Sequence, residues 1–429
     1  MFSLGSPATA AFSRTMFLLN SAKHTTARFS TNIHCHRQPP WLMLPPTFDS
    51  GKNMVHNFYV LGENQVMTMS LGNGDEDEDE YQDENEEDEE DEEDEDEDEL
   101  VMLWPDHNCK ALGSSHGWLT FLHTQTNHVL LYDPVLTFHL QFPPLPGAGG
   151  HITSVTVDPS PNDLSHFRAV ATFGPHNRLA FCAPISLDDN RKVKWVPLGL
   201  GSGYASVVYS KQRGLFFCCT KAGLQAWDLR DPLIPEMTPL PLSLDNKSNY
   251  QISSEQVRHY DFLAVAKPSG DLFHVRRFVA ARSGPRGYGG PSLGFDHGAP
   301  YRTLGFDIHR YDPNTGSLVY MDSSLDGLVL FVGSNNGLAI PADQYPELMP
   351  DSVYYTEPPE WIDWSYGGHD VGIFNNRDKT FSPCFYPVDV QSKRRVSGLK
   401  WFTPSPISRR TFLVQNNDGS MTITPKLPK

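Results

Sequence analysis

Short apolar runs separated by turn residues recur along most of this chain. Leu328 to Val332 is apolar without a break, Ser334-Asn335-Asn336-Gly337 interrupts it, and Leu338-Ala339-Ile340 resumes. Asn and Gly tolerate the positive φ that a tight hairpin needs, so the pattern predicts strand, turn, strand. An unbroken apolar run predicts a strand covered on both faces. In an antiparallel protein that happens where sheets stack on one another. Gly372-Ile373-Phe374, a turn over Asn375 to Lys379, and Phe381 to Phe385 repeat the design.

Similar units precede these. Phe58 to Leu61 pairs with Gln65 to Leu71, Trp118 to His123 with Val129 to Tyr132, and Phe167 to Phe173 with Leu179 to Cys182. Ser206 to Tyr209, Leu215 to Cys219 and Leu224 to Trp227 form a triplet, and Phe262 to Ala266 pairs with Leu272 to Val275. Phe412 to Val414 with Met421 to Thr424 ends the series. Two strands finish in Tyr-Asp-Pro, at Tyr132-Asp133-Pro134 and Tyr311-Asp312-Pro313, where proline presets φ and aspartate accepts from the turn backbone. Ala226-Trp227-Asp228 closes a strand in the manner of a WD-type blade. Long amphipathic helices are not predicted, and 35 prolines oppose them. The expected fold is therefore all-β: a kelch- or WD-like β-propeller of antiparallel strands, six or seven blades at ~40–50 residues each. A large β-sandwich is the alternative, disfavoured by the near-regular repeat.

Several of these stretches carry a family resemblance. Ser324-Leu325-Asp326-Gly327, Leu330-Phe331-Val332-Gly333, Tyr354-Tyr355-Thr356 and Asp370-Val371-Gly372-Ile373-Phe374-Asn375 stand in order near the C-terminus. Pro40-Trp41-Leu42-Met43-Leu44-Pro45 and Gly113-Ser114-Ser115-His116-Gly117-Trp118-Leu119 precede them. Together, over about residues 39 to 405, they resemble the plant domain of unknown function 295, the KIB-type β-propeller of F-box-related proteins. The resemblance implies a propeller and, in many members, an F-box that docks a Skp-type ubiquitin-ligase adaptor. No helical Leu-Pro-x-x-Leu pattern fills that slot here. The chain looks like the subgroup that lacks the F-box and carries an organellar presequence.

Charge alters the picture less than its total suggests. The formal net charge is −18, but Asp75 to Glu99 holds 22 of the 52 acidic residues, leaving 30 acids against 34 bases elsewhere. The body is nearly neutral, without the basic surface of a nucleic-acid binder. Charges packed within the ~8 Å Debye length repel one another, so residues 73–99 are expected to be a solvated, disordered insertion. The sharper reading makes this run a lure for a basic partner. Cys35, Cys109, Cys182, Cys218, Cys219 and Cys384 show no CxxC spacing and read as reduced. Of these, Cys182, Cys218 and Cys219 are expected to be buried as small hydrophobes, with Cys218 and Cys219 on opposite strand faces. No apolar run reaches the ~20 residues of a bilayer-crossing helix.

Before Asp49 the chain has no acid, but Arg14, Lys23, Arg28 and Arg37, many hydroxyls, and Phe12, Met16 and Leu19 at helical spacing. That is the composition of a transit peptide over residues 1–39. The regular arginines favour mitochondria over chloroplasts; cytosol or nucleus follows if the segment is a plain tail. The propeller domain is expected over 40–429.

Catalytic signals dissolve on inspection. Gly113-Ser114-Ser115-His116-Gly117 fits G-x-S-x-G, yet the Trp118 to Leu122 strand follows where a nucleophile elbow needs a helix. It reads as a polar turn entering a blade. Gly199-Leu200-Gly201-Ser202-Gly203 lacks the third spaced glycine and the helix of a dinucleotide loop. His34-Cys35-His36 has no complementary ligand pair for zinc. His116, His123 and His128 read as surface or rim residues. No cofactor, metal or catalytic residue is assigned. Two loops fit partner recognition instead: Trp361, Trp364 and Tyr366 within Glu360 to Tyr366, and Arg282, Arg286 and Tyr288 within the Gly-rich Arg282 to Pro291. Trp, Tyr and Arg commonly anchor interfaces. The expected function is a non-enzymatic, organellar protein-interaction module with an unknown protein partner. The alternative is a substrate receptor of an SCF ubiquitin ligase; a propeller hydrolase is a third class with no constellation behind it.

Overall fold

A computed structural model gives the structure of the chain. It describes residues 39–45, 47–48, 54–62, 65–70, 108–133, 138–148, 151–158, 167–184, 193–199, 201–240, 243–244, 257–281, 301–334, 336–357, 370–384, 399–404, 412–415 and 421–424.

Among these residues the strands group into six blades. Blade 1 is built from both ends of the chain: β1 (Trp41–Met43), β2 (Thr47–Phe48), β3 (Met54–Val60) and β4 (Gln65–Ser70), completed by β27 (Lys400–Phe402). Blade 2 holds β5 (Cys109–Ser115), β6 (Trp118–His123), β7 (Val129–Asp133) and β8 (Phe138–Phe142). In blade 3 come β9 (Ile152–Val157), β10 (Ala169–Phe173), β11 (Arg178–Pro184) and β12 (Val193–Pro197). Blade 4 follows with β13 (Tyr204–Ser210), β14 (Leu215–Thr220), β15 (Gly223–Asp228) and β16 (Glu236–Leu240).

Blades 5 and 6 share one ten-stranded sheet. The first contributes β17 (Ser243–Leu244), β18 (Val257–Ala266), β19 (Leu272–Ala281), β20 (Tyr301–Asp312) and β21 (Ser317–Tyr320). The second contributes β22 (Leu328–Val332), β23 (Gly337–Pro341), β24 (Ser352–Tyr355), β25 (Gly372–Asn375) and β26 (Phe381–Ser382). The hairpin β28 (Phe412–Gln415) and β29 (Met421–Thr424) pairs only with itself among the described residues. One 3₁₀ turn, Ala342–Gln344, is the sole helical element among them.

The hydrophobic core explains the wheel. It is six separate clusters, each wedged between consecutive blades. Trp41, Phe58, Leu119 and Tyr132 join blades 1 and 2; Leu112, Trp118, Val155 and Trp195 join 2 and 3; Phe181, Leu198, Tyr204 and Phe216 join 3 and 4. Phe217, Cys219, Leu263 and Tyr311 join blades 4 and 5, and Phe273, Phe306, Leu330 and Tyr355 join 5 and 6. Val329, Phe331, Leu42 and Trp401 close the circle between 6 and 1. A strand with period two feeds both of its interfaces. Phe216 and Cys218 face one neighbour while Phe217 and Cys219 face the other. Leu330 and Val332 do the same against Val329 and Phe331, which is why that run is apolar throughout.

Two pairings depart from the antiparallel expectation: β18 with β23, and β22 with β24, are parallel. Gly337 permits the first. A Cβ there would sit 1.8 Å from the Leu263 carbonyl oxygen, so only glycine lets the two backbones meet. A short third parallel pair joins β17 to β21.

Near the axis, hydroxyls stitch blades 1 to 5 each to the next. Ser114 donates to the Trp401 carbonyl of blade 1. Ser115 accepts from the Val157 N–H of blade 3 at 2.9 Å. Thr156 shares its proton between the Val207 carbonyl of blade 4, at 3.0 Å, and Asn336 Oδ1 at 2.7 Å. Ser206 accepts from the Leu263 N–H of blade 5 at 3.0 Å. Asn336 also donates to Ser115 and, through its backbone, to the Ser114 carbonyl. The Gly113–Ser115 segment thus forms the end of strand β5, not a polar turn; the turn is His116-Gly117, both with positive φ.

Candidate partner-binding face

The innermost strands β5, β9, β13 and β18 advance side by side, so the wheel has one rim where they begin and another where they end. The beginning rim carries a buried polar network. β19 contains two adjacent arginines in an apolar run, and period two turns them to opposite faces. Arg276 pairs with Asp261 at 2.8 Å. Arg277 goes inward and is fully buried.

Every arm of Arg277 is engaged. Its Nε donates to Thr303 Oγ1 at 2.8 Å, one terminal nitrogen to the Thr356 carbonyl at 2.6 Å, and the other to Asp370 Oδ2 at 2.9 Å and the Asp370 carbonyl at 3.1 Å. Thr303 in turn donates to Asp370 Oδ2 at 2.8 Å. The guanidinium lies over the Tyr355 ring, 4.8 Å from its centroid. A planar five-donor fork suits this task and a lysine does not. Beside it, Tyr301 donates to the buried Glu357, and burial followed by that carboxylate pushes the phenol pKa up. Ser334 donates to the Glu357 carbonyl at 2.9 Å. Burial pulls the Lys400 ammonium down to about 8, with Glu357 opposing.

This network sits at the roots of both predicted recognition loops. The chain leaves β19 at Ala281 and re-enters β20 at Tyr301, which are register partners; it leaves at Glu357 and returns at Asp370. Tyr301–Glu357 and Arg277–Asp370 tie one pair of roots to the other. The residues singled out from sequence, Arg282, Arg286, Tyr288, Trp361, Trp364 and Tyr366, lie outside the described residues, as do the acidic run and residues 1–38. The described chain resumes at Asn108, just before β5 on the same rim.

Ser334 also borders a small axial cavity of about 20 Å³, partly open to solvent, lined by Leu112, Ser114, Ser154, Ser206, Phe262 and Asn336 among others. On its wall Ser114 donates to a carbonyl, and the adjacent, buried Ser115 accepts two hydrogen bonds in a strand. Among the described residues no three His, Cys, Asp or Glu converge as metal ligands. Five described cysteines carry free thiols, and Cys182, Cys218 and Cys219 are buried as expected. His123 stands at the rim end of β6 but is buried rather than exposed, and its Nδ1 bonds Thr126. Sequence reasoning missed Arg277, Tyr301, Glu357 and Asn336. The Arg276-Arg277 pair inside an apolar strand was the available signal.

A family model described as the KIB1-4 beta-propeller matches residues 94–375. Blade 1 lies outside that span. Comparison with curated protein sequences finds no match. Among solved structures, a duf4221-family member from Bacteroides vulgatus is 9% identical with a TM-score of 0.32, over 82% of this chain and 91% of that one. The Malassezia sympodialis allergen Mala s 1 is 10% identical with a TM-score of 0.26, over 68% and 91%. At these scores neither protein informs what this chain does.

Proposed function

Since the chain belongs to the KIB1-4 β-propeller family, we propose that it is a non-catalytic interaction module that grips a protein partner at the rim where its innermost strands begin. The supporting observation is the Arg277 clamp, which holds the roots of two recognition loops on one rigid base. Rigid presentation reduces the ordering cost of binding. Trp361, Trp364, Tyr366 and Tyr288 would supply aromatic anchors, and Arg282 and Arg286 the charge. The acidic run, which precedes Asn108 in the chain, would draw in a basic partner, an attraction that salt weakens.

The test is affinity capture from the native tissue with wild type and with Trp361→Ala/Trp364→Ala. The proposal expects a stoichiometric partner lost from the variant while its melting temperature is unchanged. Identical captured proteins from both would refute it. Capture of a Skp-type adaptor would instead establish the ubiquitin-ligase reading. The organellar part of the proposal rests on residues 1–39 acting as a transit peptide. A fusion of that segment to a fluorescent reporter should enter mitochondria; a chloroplast, cytosolic or nuclear signal would overturn it.

A further inference from the structure

The axial cavity gathers polar groups from several blades at one level of the wheel. It is lined by Ser114 from β5, Ser154 from β9, Ser206 from β13, Phe262 from β18, and Ser334 and Asn336 from the β22–β23 turn. Ser154 is the third residue of β9 and Ser206 the third of β13, so the cavity lies just inside the rim where these strands begin. Ala205 beside it is exposed and Ser154 and Ser206 are half-buried, while Ser114, Phe262 and Ser334 are buried. The opening therefore faces the partner-binding rim.

Three of the four hydroxyls have committed their protons. Ser114 donates to the Trp401 carbonyl, Ser154 to Thr172 Oγ1 at 3.2 Å, and Ser334 to the Glu357 carbonyl at 2.9 Å. A serine that donates in this way has only lone pairs left to offer. Ser206 is placed the other way round. Its oxygen accepts from the Leu263 N–H at 3.0 Å, and an accepting hydroxyl keeps a proton to give. Three acceptors and one donor, from blades 2, 3, 6 and 4, thus border one small space.

The described residues that line it are all uncharged, so an ion there would lose its hydration without gaining a counter-charge. Size selects further. A cavity needs about 10–15 Å³ to hold a water, which also needs two to four polar partners. At about 20 Å³ this one takes a single water-sized group.

We propose that the axial cavity is a binding site for one ordered water, which donates to two of the Ser114, Ser154 and Ser334 oxygens and accepts from Ser206. A bridging water is enthalpically nearly as good as a direct hydrogen bond. It joins blade 4 to two of blades 2, 3 and 6, and gives the partner-binding rim a fixed polar centre. The site does not depend on the interaction proposed above, because the protein without any partner tests it.

The full-length protein is crystallised alone and refined at a resolution that orders internal water. One peak is expected in the cavity, within hydrogen-bond distance of Ser206 Oγ and of at least two of the other three hydroxyls. Ser154→Val, at a half-buried strand position where a β-branched side chain fits, replaces an acceptor with a methyl and fills part of the space. The peak is expected to vanish from that variant while the blades keep their places. Should the variant not fold, the wild-type map decides alone. An empty cavity in the wild type, a peak touching fewer than two of the four hydroxyls, an ion in place of water, or a peak retained unchanged in Ser154→Val would overturn the assignment.

Discussion

Ser115 illustrates how a single hydroxyl works at the axis of this wheel. Its oxygen accepts from a neighbouring blade's backbone and from Asn336, and the residue itself is buried. Ser115→Ala takes the acceptor from both donors, and should cost about 1–3 kcal/mol for the buried Val157 N–H left unsatisfied. A chemical melt that gives an unchanged midpoint would show the girdle to be ornamental. Glycines separate just as sharply. Gly337→Ala would force a methyl into the Leu263 backbone, and we expect no soluble protein. Gly327→Ala meets nothing within 4 Å, so only its positive φ of 74° matters; a loss of about 1–2 kcal/mol is expected. Comparable soluble yields and melts for the two variants would contradict this.

At the scale of the element, the turn Ser324 to Gly327 depends on a distant acid. Asp351 Oδ1 accepts from the Leu325 N–H at 2.7 Å and the Gly327 N–H at 3.1 Å, while Oδ2 meets Arg377 at 2.7 Å. Burial works against the charge, but these bonds outweigh it and keep the carboxyl below its ordinary range. A depressed folded pKa stabilises above the unfolded value of ~3.9 and the benefit is lost as pH falls through the folded pKa. Asp351→Asn should therefore be less stable than wild type at neutral pH and show a shallower loss on acidification. Parallel urea midpoints against pH for the two proteins would count against it. Elements differ in how far the sequence disclosed them. β22 and β23 were legible because both faces of each are greasy and an Asn/Gly turn parts them. β9, Ile152–Val157, was not, since Thr153, Ser154 and Thr156 look like loop, yet they form a strand whose Thr156 bonds across the axis. β20, Tyr301–Asp312, was visible only at its Tyr-Asp end, because Arg302, Asp307, His309 and Arg310 break the apolar pattern. The Arg277 network was hidden for a related reason: a buried charge is read only through its partners, and Thr303, Thr356 and Asp370 are remote in sequence.

Closure is a property of the whole molecule. β27 is the innermost strand of blade 1, with Trp41 opposite Phe402 and Leu42 opposite Trp401, and its side chains enter the clusters on both sides. Truncation after Gly398 should open the wheel and expose two apolar interfaces, giving aggregation or loss of cooperative unfolding; truncation after Pro404 should leave the melt intact. Equal behaviour of the two would mean that the circle is not what holds the blades. Propeller architecture was legible from the recurrence of strand and turn, but closure through Lys400–Phe402 was not, because three residues carry too little pattern to announce a strand. The most direct test of the interaction account is amide hydrogen exchange on the full-length protein, alone and with its captured partner. Binding at the proposed rim predicts slowed exchange at residues 278–281, 301–303 and 355–357, with β16 and the other outermost strands unchanged. Protection confined to those outer strands, or none on this rim, would contradict it.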